Sequence, residues 1–415
     1  MPAPAPLLSI LIPTRNRTRC AKHAIGHVLG FSGNDFELVV HDNSDDGELA
    51  SWIPKHLGDS RLKYVQSPGE LSISQNFEET LSHARGEFVC CLGDDDGVDR
   101  QVIQVARWMQ RNRIDAVSFT HPVLYYWPGL RALAGKKPGQ LIMSPQDGAV
   151  SLADPEQALL RCIGEGAVQI MGMPTLYHGI ARRSCLEAVK EKTGKRLPGV
   201  SPDMAAAVAL ASNIQRFCVI DYPVIVPGAS PSSGAGRGVA KTHQGKLSNE
   251  KFLDSGMVES WPERVPAFFS GPTMWAAAAV QALEATGRGD LLSRFNYPAV
   301  HAACAVHVPA FRKETRESLA KLGAGSAAAW LKTRSGFAAG WTHQWWRRAK
   351  SLLSRRANQV ISPGEEGHTN IREAMEALEV LLPSLELSDL EESRVASTRR
   401  PSNGRSTVGL QKQAG

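Results

Sequence analysis

The sequence lacks most of the marks by which composition alone assigns a chemistry. Its seven cysteines, Cys20, Cys90, Cys91, Cys162, Cys185, Cys218 and Cys304, are odd in number and scattered. They form neither a Cys-x-x-Cys pair for zinc nor a disulfide framework, which points to a reducing, cytoplasmic compartment. No apolar run reaches the roughly 20 residues needed to cross a bilayer; the most apolar stretches, 274–283 and 298–309, are too short. The opening MPAPAP leads into a short apolar segment without the basic region and cleavage site of a signal peptide, so no secretory signal is expected. There is no internal repeat. A hydrophobic fraction of 42%, a charged fraction of 21% and a net charge of +6 place the chain in no special class. Its 415 residues leave room for two domains, or for one large domain with appendages.

What is present is a pattern. From residue 7 to about 120, short apolar runs alternate with amphipathic segments. LLSILIP, FELVVHD, LKYVQS, EFVCCLG and IDAVSF read as strands, most of them continuously apolar, as parallel strands covered on both faces are. Residues 20–29, 74–84 and 102–110 between them place apolar side chains at helical spacing. The alternation predicts an α/β fold with an open, mostly parallel sheet flanked by helices. Residues 122–227 are more mixed, with strand candidates PVLYYW and LYHGIA, a helix candidate over 202–211 and a strand pair in RFCVIDYPVIV; they are read as completing the same domain. GASPSSGAGRG, at 228–238, has the composition of a mobile loop. Beyond residue 249 the chain turns helical and alanine-rich, and the polar stretch 387–415 is expected to be disordered.

Ligands of open parallel sheets bind beyond the carboxyl ends of the strands. Three such ends stand out: Pro13, Thr14, Arg15 and Asn16; Asp42, Asn43, Ser44, Asp45 and Asp46; and Gly93 followed by Asp94, Asp95 and Asp96. Adjacent carboxylates repel one another and need a cation or solvent to offset the cost. Magnesium or manganese, hard ions that prefer oxygen ligands, suit them. The same run serves equally well as an exposed acidic turn, or as a cap for the helix that begins near Val102.

In order and spacing, SILIPTRNR, FELVVHDNSDDG and SQNFEETLSHARGEFVCCLGDDD, with SPD at Ser201 to Asp203, resemble the family 2 glycosyltransferases. The resemblance covers about residues 7–226 and implies a GT-A-type, Rossmann-like nucleotide-binding fold with a helical C-terminal extension. With it the chain divides into a glycosyltransferase domain over 1–246, a helical region over 247–360, and a short helix and tail over 361–415. The first of these has a nucleotide-sugar half at about 7–120, an acceptor half at 121–227 and a loop at 228–246.

Residue by residue, the resemblance implies that Asp42 hydrogen-bonds the nucleotide base, that Pro13, Thr14 and Arg15 line its pocket, and that Asn76 lies near the nucleotide. It gives the acidic run the ribose and a diphosphate-bound metal, Mn2+ or Mg2+. Gly93 stands where the family commonly has an aspartate, so two registers are open. Asp94 with Asp96 keeps the family spacing; alignment without gaps makes Asp95 the metal ligand, with Asp94 on the ribose and Asp96 nearby, and is preferred. The reaction implied is displacement at the anomeric carbon with inversion, the metal stabilising the leaving diphosphate and Asp203 taking the acceptor proton. His243 is a candidate further metal ligand, and Arg237 with the backbone of 228–238 would close over the diphosphate. Each residue has a plainer reading. Asp42 and Asn43 make a turn, Asn76 bonds locally at a helix start, and His243 is a solvated loop histidine. Ser201, Pro202 and Asp203 open a helix with serine as its cap.

The segment 330–356 carries Trp330, Trp341, Trp345 and Trp346 among Lys332, Arg334, Arg347, Arg348, Lys350, Arg355 and Arg356. Such a helix suits an anionic membrane surface, where lipid-linked acceptors of many related enzymes are found. Alternatively it packs its tryptophans on the catalytic domain, since Gly336 and Gly340 interrupt its apolar face. The expectation is therefore a cytoplasmic enzyme, peripheral on the inner membrane, that transfers sugar from a nucleotide-sugar donor, UDP-linked in the first instance, to a glycan or lipid-linked acceptor in bacterial surface polysaccharide or glycoconjugate assembly. The rivals are a nucleotidyltransferase, which would want a glycine-rich phosphate loop that IPTRNR lacks, and a non-catalytic nucleotide-sugar-binding protein. No nucleic acid partner is expected, because no recognised motif accompanies the charge.

Overall fold

The structure, a computed structural model, describes residues 5–390 apart from 57, 68, 70, 131–137, 171, 251, 252, 254, 355–357, 363–366 and 389. The tail expected to be disordered lies, from residue 391 on, outside the described residues, as do Arg355 and Arg356 of the basic segment.

The first part of the chain alternates strand and helix: β1 (Leu8–Thr14), α1 (Thr18–Leu29), β2 (Phe36–Asp42), α2 (Glu48–Trp52), β3 (Leu62–Gln66), α3 (Ile73–Ser82) and β4 (Phe88–Cys91). There follow β5 (Gly97–Val98), α4 (Val102–Arg111), β6 (Ala116–Phe119), β7 (Val123–Tyr126), β8 (Leu141–Met143), β9 (Val150–Ala153), α5 (Pro155–Gly164), β10 (Gly179–Arg182), α6 (Arg183–Thr193) and α7 (Pro202–Asn213). After these come β11 (Phe217–Ile220), β12 (Ile225–Val226), β13 (Gly228–Ala229), α8 (Gly234–Val239) and α9 (Ser255–Glu259). The remaining helices are α10 (Gly271–Ala285), α11 (Tyr297–His307), α12 (Arg312–Leu322), α13 (Ala327–Ser354) and α14 (Ile371–Leu381).

Eight strands form one sheet in the order β3-β2-β1-β4-β10-β6-β11-β9. β1 runs parallel to β2 and β4, β2 to β3, and β6 to β11, whereas β10 and β9 are antiparallel to their neighbours. Every residue of β1, β2, β4 and β6 is buried, the physical reason these strands read as unbroken apolar runs. The register sets Thr14 beside Asp42 and Leu11 beside Cys91, so the carboxyl ends of β1, β2 and β4 open on one edge. α3 starts at a capping box, Ser72 accepting from the Gln75 backbone and the Gln75 side chain from Ser72, which fixes the helix against that edge.

RFCVIDYPVIV departs from the expected strand pair. β11 joins the large sheet, Pro223 intervenes without an N–H to continue the ladder, and β12 pairs instead with β5. That pairing carries residues 228–233 back over the acidic run. The segment read as a mobile loop is built from β13, paired with β7, and α8, capped by Ser233.

One core lies between the sheet and α1, α4 and α14, with Ile371, Ala374, Met375 and Leu378 filling it from the far end of the chain. A second unites α5, α7, α10 and α11. α7 and α10 are alanine-rich and buried on most sides, as helices apolar all round must be, and they pack on each other. The second core thus draws on residues from both sides of residue 246, and α14 returns to the first.

Candidate functional site

At the common edge of β1, β2 and β4 the three aspartates are buried, with Asp94 at 0% exposure and Asp95 and Asp96 at 2% each. Such burial requires partners. Thr14 donates from its hydroxyl to Asp94 Oδ2 at 2.5 Å. The Arg17 guanidinium lies across the pair: Nε meets Asp94 Oδ2 at 3.0 Å, one terminal nitrogen meets Asp94 Oδ1 at 2.6 Å, and the other meets Asp95 Oδ1 at 3.3 Å. The Nε contact is a hydrogen bond and the Oδ1 contact an ion pair, two contacts to one carboxylate that the planar guanidinium offers and lysine does not. Asp95 Oδ2 accepts the Ser230 backbone N–H at 3.0 Å.

Asp96 turns the other way. Its Oδ1 accepts the Gly228 N–H at 2.7 Å. Its Oδ2 accepts the Gly93 N–H at 2.6 Å, the Tyr177 hydroxyl at 3.1 Å and the His178 Nε2 at 2.5 Å. Burial raises Asp94 to about 7, Asp95 adding to the rise and Arg17 opposing it. Burial also works to raise Asp96, but His178 and the backbone donors outweigh it and bring the group below the ordinary carboxylate value. On Arg17 the pull of burial is overcome by Asp94 and Asp95, which hold the guanidinium charged.

Gly93 has a steric explanation. A Cβ at this position would fall 2.8 Å from both Asp96 Oδ2 and the Tyr177 hydroxyl, and 3.1 Å from Asp95 Oδ1. The space that an aspartate would take belongs to Tyr177 and Asp96. Gly228 is constrained likewise, since its Cβ would fall 1.9 Å from the Asp95 carbonyl oxygen. Positive φ angles at Asn16 (55°), His121 (52°) and His178 (59°) surround the cluster, and His121 meets the His178 carbonyl at 3.1 Å. Non-glycine residues held in this region mark places that the surrounding structure over-determines.

The other expected residues fall as follows. Pro13 is buried within β1. Arg15 reaches Asp45 Oδ1 at 3.2 Å and the Leu71 carbonyl at 3.3 Å. Asp42 is wholly buried, one oxygen accepting the Ser44 N–H at 3.0 Å and the other the Tyr64 hydroxyl at 2.8 Å. Beside it an open depression of about 450 Å3 is lined by Ser44, Asp45, Asp46, Gly47, Gln66 and Ser67. Asn76 joins α3 to β1, donating to the Thr14 carbonyl at 3.2 Å and meeting His41 Nδ1 at 2.6 Å.

Asp203 opens α7, but Ser201 makes no cap bond to the helix backbone; its hydroxyl donates to Asp203 Oδ1, which also accepts the Met204 N–H at 2.9 Å. The expected serine cap is therefore replaced by the aspartate. Asp203 Oδ2 accepts Trp275 Nε1 at 2.8 Å, a contact from α10 that no local pattern announces. His243 stacks edge-on against Phe269, its ring centroid 4.7 Å away, and Arg237 faces the same ring and pairs with Glu250. The structure thus gathers Thr14, Asp94, Asp95 and Asp96 into one cluster near Asp42, and gives Asp203 and His243 partners of their own.

Arg17, Tyr177, His178, Ser230 and Tyr64 were not singled out from the sequence. Arg17 carried a signal, a second arginine in IPTRNR at the start of α1. Tyr177 and His178 carried none, because only the antiparallel insertion of β10 beside β4 brings them to Asp96.

The donor set does not fit a divalent ion in this arrangement. Asp96 Oδ2 is filled by three donors and Oδ1 is turned to the Gly228 N–H, while the Arg17 cation faces Asp94 and Asp95, where a second cation would be repelled. Among the described residues no group of three or more His, Cys, Asp or Glu side chains is placed to hold a metal ion. Nor is any helix among them long and apolar enough to cross a membrane.

Comparison with known proteins agrees with the strand-end motifs. Residues 9–143 match the family model described as glycosyl transferase family 2. An uncharacterized glycosyltransferase of Mycoplasma genitalium is 28% identical over 121 residues, 28% of this chain and 41% of that protein. The GalNAc(5)-diNAcBac-PP-undecaprenol beta-1,3-glucosyltransferase of Campylobacter jejuni is 31% identical over 93 residues, 22% of this chain and 30% of that protein. The chain therefore spans less than half the length of these relatives. Among solved structures, S. aureus TarS 1-349 in complex with UDP-GlcNAc superposes with a TM-score of 0.47 at 15% identity, covering 82% of this chain and 92% of that one. The matched segment, residues 9–143, is the one that carries β1, β2, β4 and the three buried aspartates.

Proposed function

We propose that the chain transfers a sugar from a nucleotide-diphosphate sugar to an acceptor hydroxyl, with inversion at the anomeric carbon. The observation that carries this is the convergence of Asp42, Thr14, Arg17, Asp94 and Asp95 on one sheet edge inside the family 2 segment. Asp42 and the depression beside Ser44 and Gln66 would take the base. Asp94 would take the ribose, and Arg17 the diphosphate.

In the reaction, the acceptor oxygen attacks the anomeric carbon as the bond from that carbon to the diphosphate oxygen breaks. The electron pair leaves with the nucleoside diphosphate. Arg17, an always-charged donor of which 20% of the side chain is exposed, offsets the developing charge. The acceptor proton passes to Asp203, whose carboxylate is held in place by Trp275.

The name of the Campylobacter relative, a glucosyltransferase for an undecaprenol-diphosphate-linked glycan, favours a lipid-linked glycan acceptor and a place in bacterial surface glycoconjugate assembly. A transfer and hydrolysis assay of the full chain with a panel of UDP-, GDP- and dTDP-sugars tests the reading. One sugar nucleotide is expected to turn over, and Asp203→Asn is expected to keep donor binding while losing at least about 100-fold in rate. Turnover of none, with intact nucleotide binding, would leave a binding protein instead.

A further inference from the structure

α13 is 28 residues long and contains no aspartate or glutamate. Its glycines are not breaks in an apolar face, because they form the face by which it packs. A Cβ at Gly340 would fall 3.0 Å from Ala299 Cα and 3.1 Å from Ala302 Cβ, and one at Gly336 would fall 3.1 Å from Pro298 Cβ, all on α11. Thr333 and Gln344 are buried on this side too. With small residues drawn against α11, the large ones are left outside: Trp330 is 53% exposed, Leu331 63%, Trp341 44%, Trp345 44% and Trp346 59%.

At about 100° per residue, Trp330, Arg334, Trp341, Trp345 and Arg348 fall within about 60° of one another around the helix axis. They make one stripe alternating indole and guanidinium. The cations lie over the rings: Arg334 is 5.4 Å from the Trp330 centroid, Arg348 5.3 Å from Trp345, and Lys350 5.3 Å from Trp346. The packing of tryptophans onto the catalytic domain, the other expectation for this segment, is not what the helix does.

We propose that this stripe of α13 is a docking surface for an anionic lipid bilayer, on which the helix lies without spanning it. Charge complementarity argues for lipid over protein. The helix offers Lys332, Arg334, Arg348 and Lys350 with no acid among them, which matches a surface of one sign. Indole, with an apolar body and a polar N–H, has its preferred place at the level of the headgroups. A protein groove would instead be met by a row of aliphatic anchors, and among the residues of α13 whose exposure is described, Leu331 is the one large aliphatic side chain exposed beside four tryptophans.

The test is sedimentation of the full chain with vesicles of phosphatidylcholine alone and of phosphatidylcholine mixed with phosphatidylglycerol, with tryptophan emission recorded. Binding to the mixed vesicles, a blue-shifted emission and release by high salt are expected. The variant Trp330→Ser/Trp341→Ser/Trp345→Ser, and separately Arg334→Glu/Arg348→Glu, should each weaken vesicle binding by at least about ten-fold. Both sets are exposed, so the far-ultraviolet dichroism should be unchanged. Equal binding by these variants, or absence of binding to the mixed vesicles, would overturn the proposal. So would self-association through the stripe without vesicle binding, which would make a second copy its occupant.

Discussion

At Arg17 three charges meet in a pocket with little water. The guanidinium is the described partner that makes burial of Asp94 and Asp95 tolerable, since Thr14 and the Ser230 backbone supply single neutral hydrogen bonds. Arg17→Ala should therefore lower the stability of the fold by about 3 kcal/mol in urea unfolding. It should also weaken binding of a nucleoside diphosphate by at least about ten-fold. Arg17→Lys should restore part of the stability, since a point charge replaces the fork. A second prediction concerns Gly93, which keeps room for Tyr177 and Asp96. Restoring the aspartate that the family commonly carries, Gly93→Asp, should lower the melting temperature, because two buried carboxylates and a phenol would then compete for one space. An unchanged melting temperature would sink the steric account. The acidic run and the Thr14 loop were legible as residues because both follow apolar strands directly. The partners of Asp96 were not, since Tyr177 and His178 lie about 80 positions later and meet it through sheet pairing.

Among the elements, the short strands decide what covers the site. β12 pairs with β5, and β13 follows at once, so the Gly228 and Ser230 N–H groups reach Asp96 and Asp95. Gly228→Ala sets a methyl group against the Asp95 carbonyl and should push this crossing away. The expected outcome is a lower melting temperature together with weaker nucleotide binding, read by thermal shift with and without ligand. Loss of stability with full ligand response would separate the crossing from the site. Composition suggested a mobile loop here because glycine and serine report backbone freedom; the contacts that use that freedom lie in other elements. The same limit applies to α13, whose glycines read as interruptions until α11 is seen against them. The alternation from β1 to β4, by contrast, was readable: β1, β2 and β4 are buried on both faces and so run largely apolar, while β3, half-buried at the sheet edge, is the more polar of the four.

At the level of the whole molecule, the cores join distant parts of the chain. α14 closes the core beneath the sheet, and α10 and α11 share a core with α5 and α7. Many of the histidines are enclosed in this packing. Burial, helped by neighbouring His178, brings His121 down to about 4; burial, helped by Arg237, does the same for His243; and burial depresses His27 and His301. Such a histidine is neutral in the fold and charged in the unfolded chain between its folded value and 6.5, so the unfolded chain binds more protons there. Stability should accordingly be lost as pH falls from 6.5 toward 4, by about 1 kcal/mol per pH unit for each such group. Asp94, raised to about 7, contributes the opposite sign over this range, so urea midpoints of the parent are compared with those of His121→Gln/His243→Gln; equal slopes in the two would show that these rings are not held neutral.

We propose the edge shared by β1, β2 and β4 as the nucleotide-sugar donor site. Calorimetric titration of the full chain with UDP, GDP and dTDP tests it most directly, using the parent protein, Arg17→Ala and Asp42→Asn. Saturable binding of at least one nucleoside diphosphate by the parent is expected, with a loss of at least about ten-fold in both variants. No binding of any of the three, or binding that both variants retain in full, would contradict it.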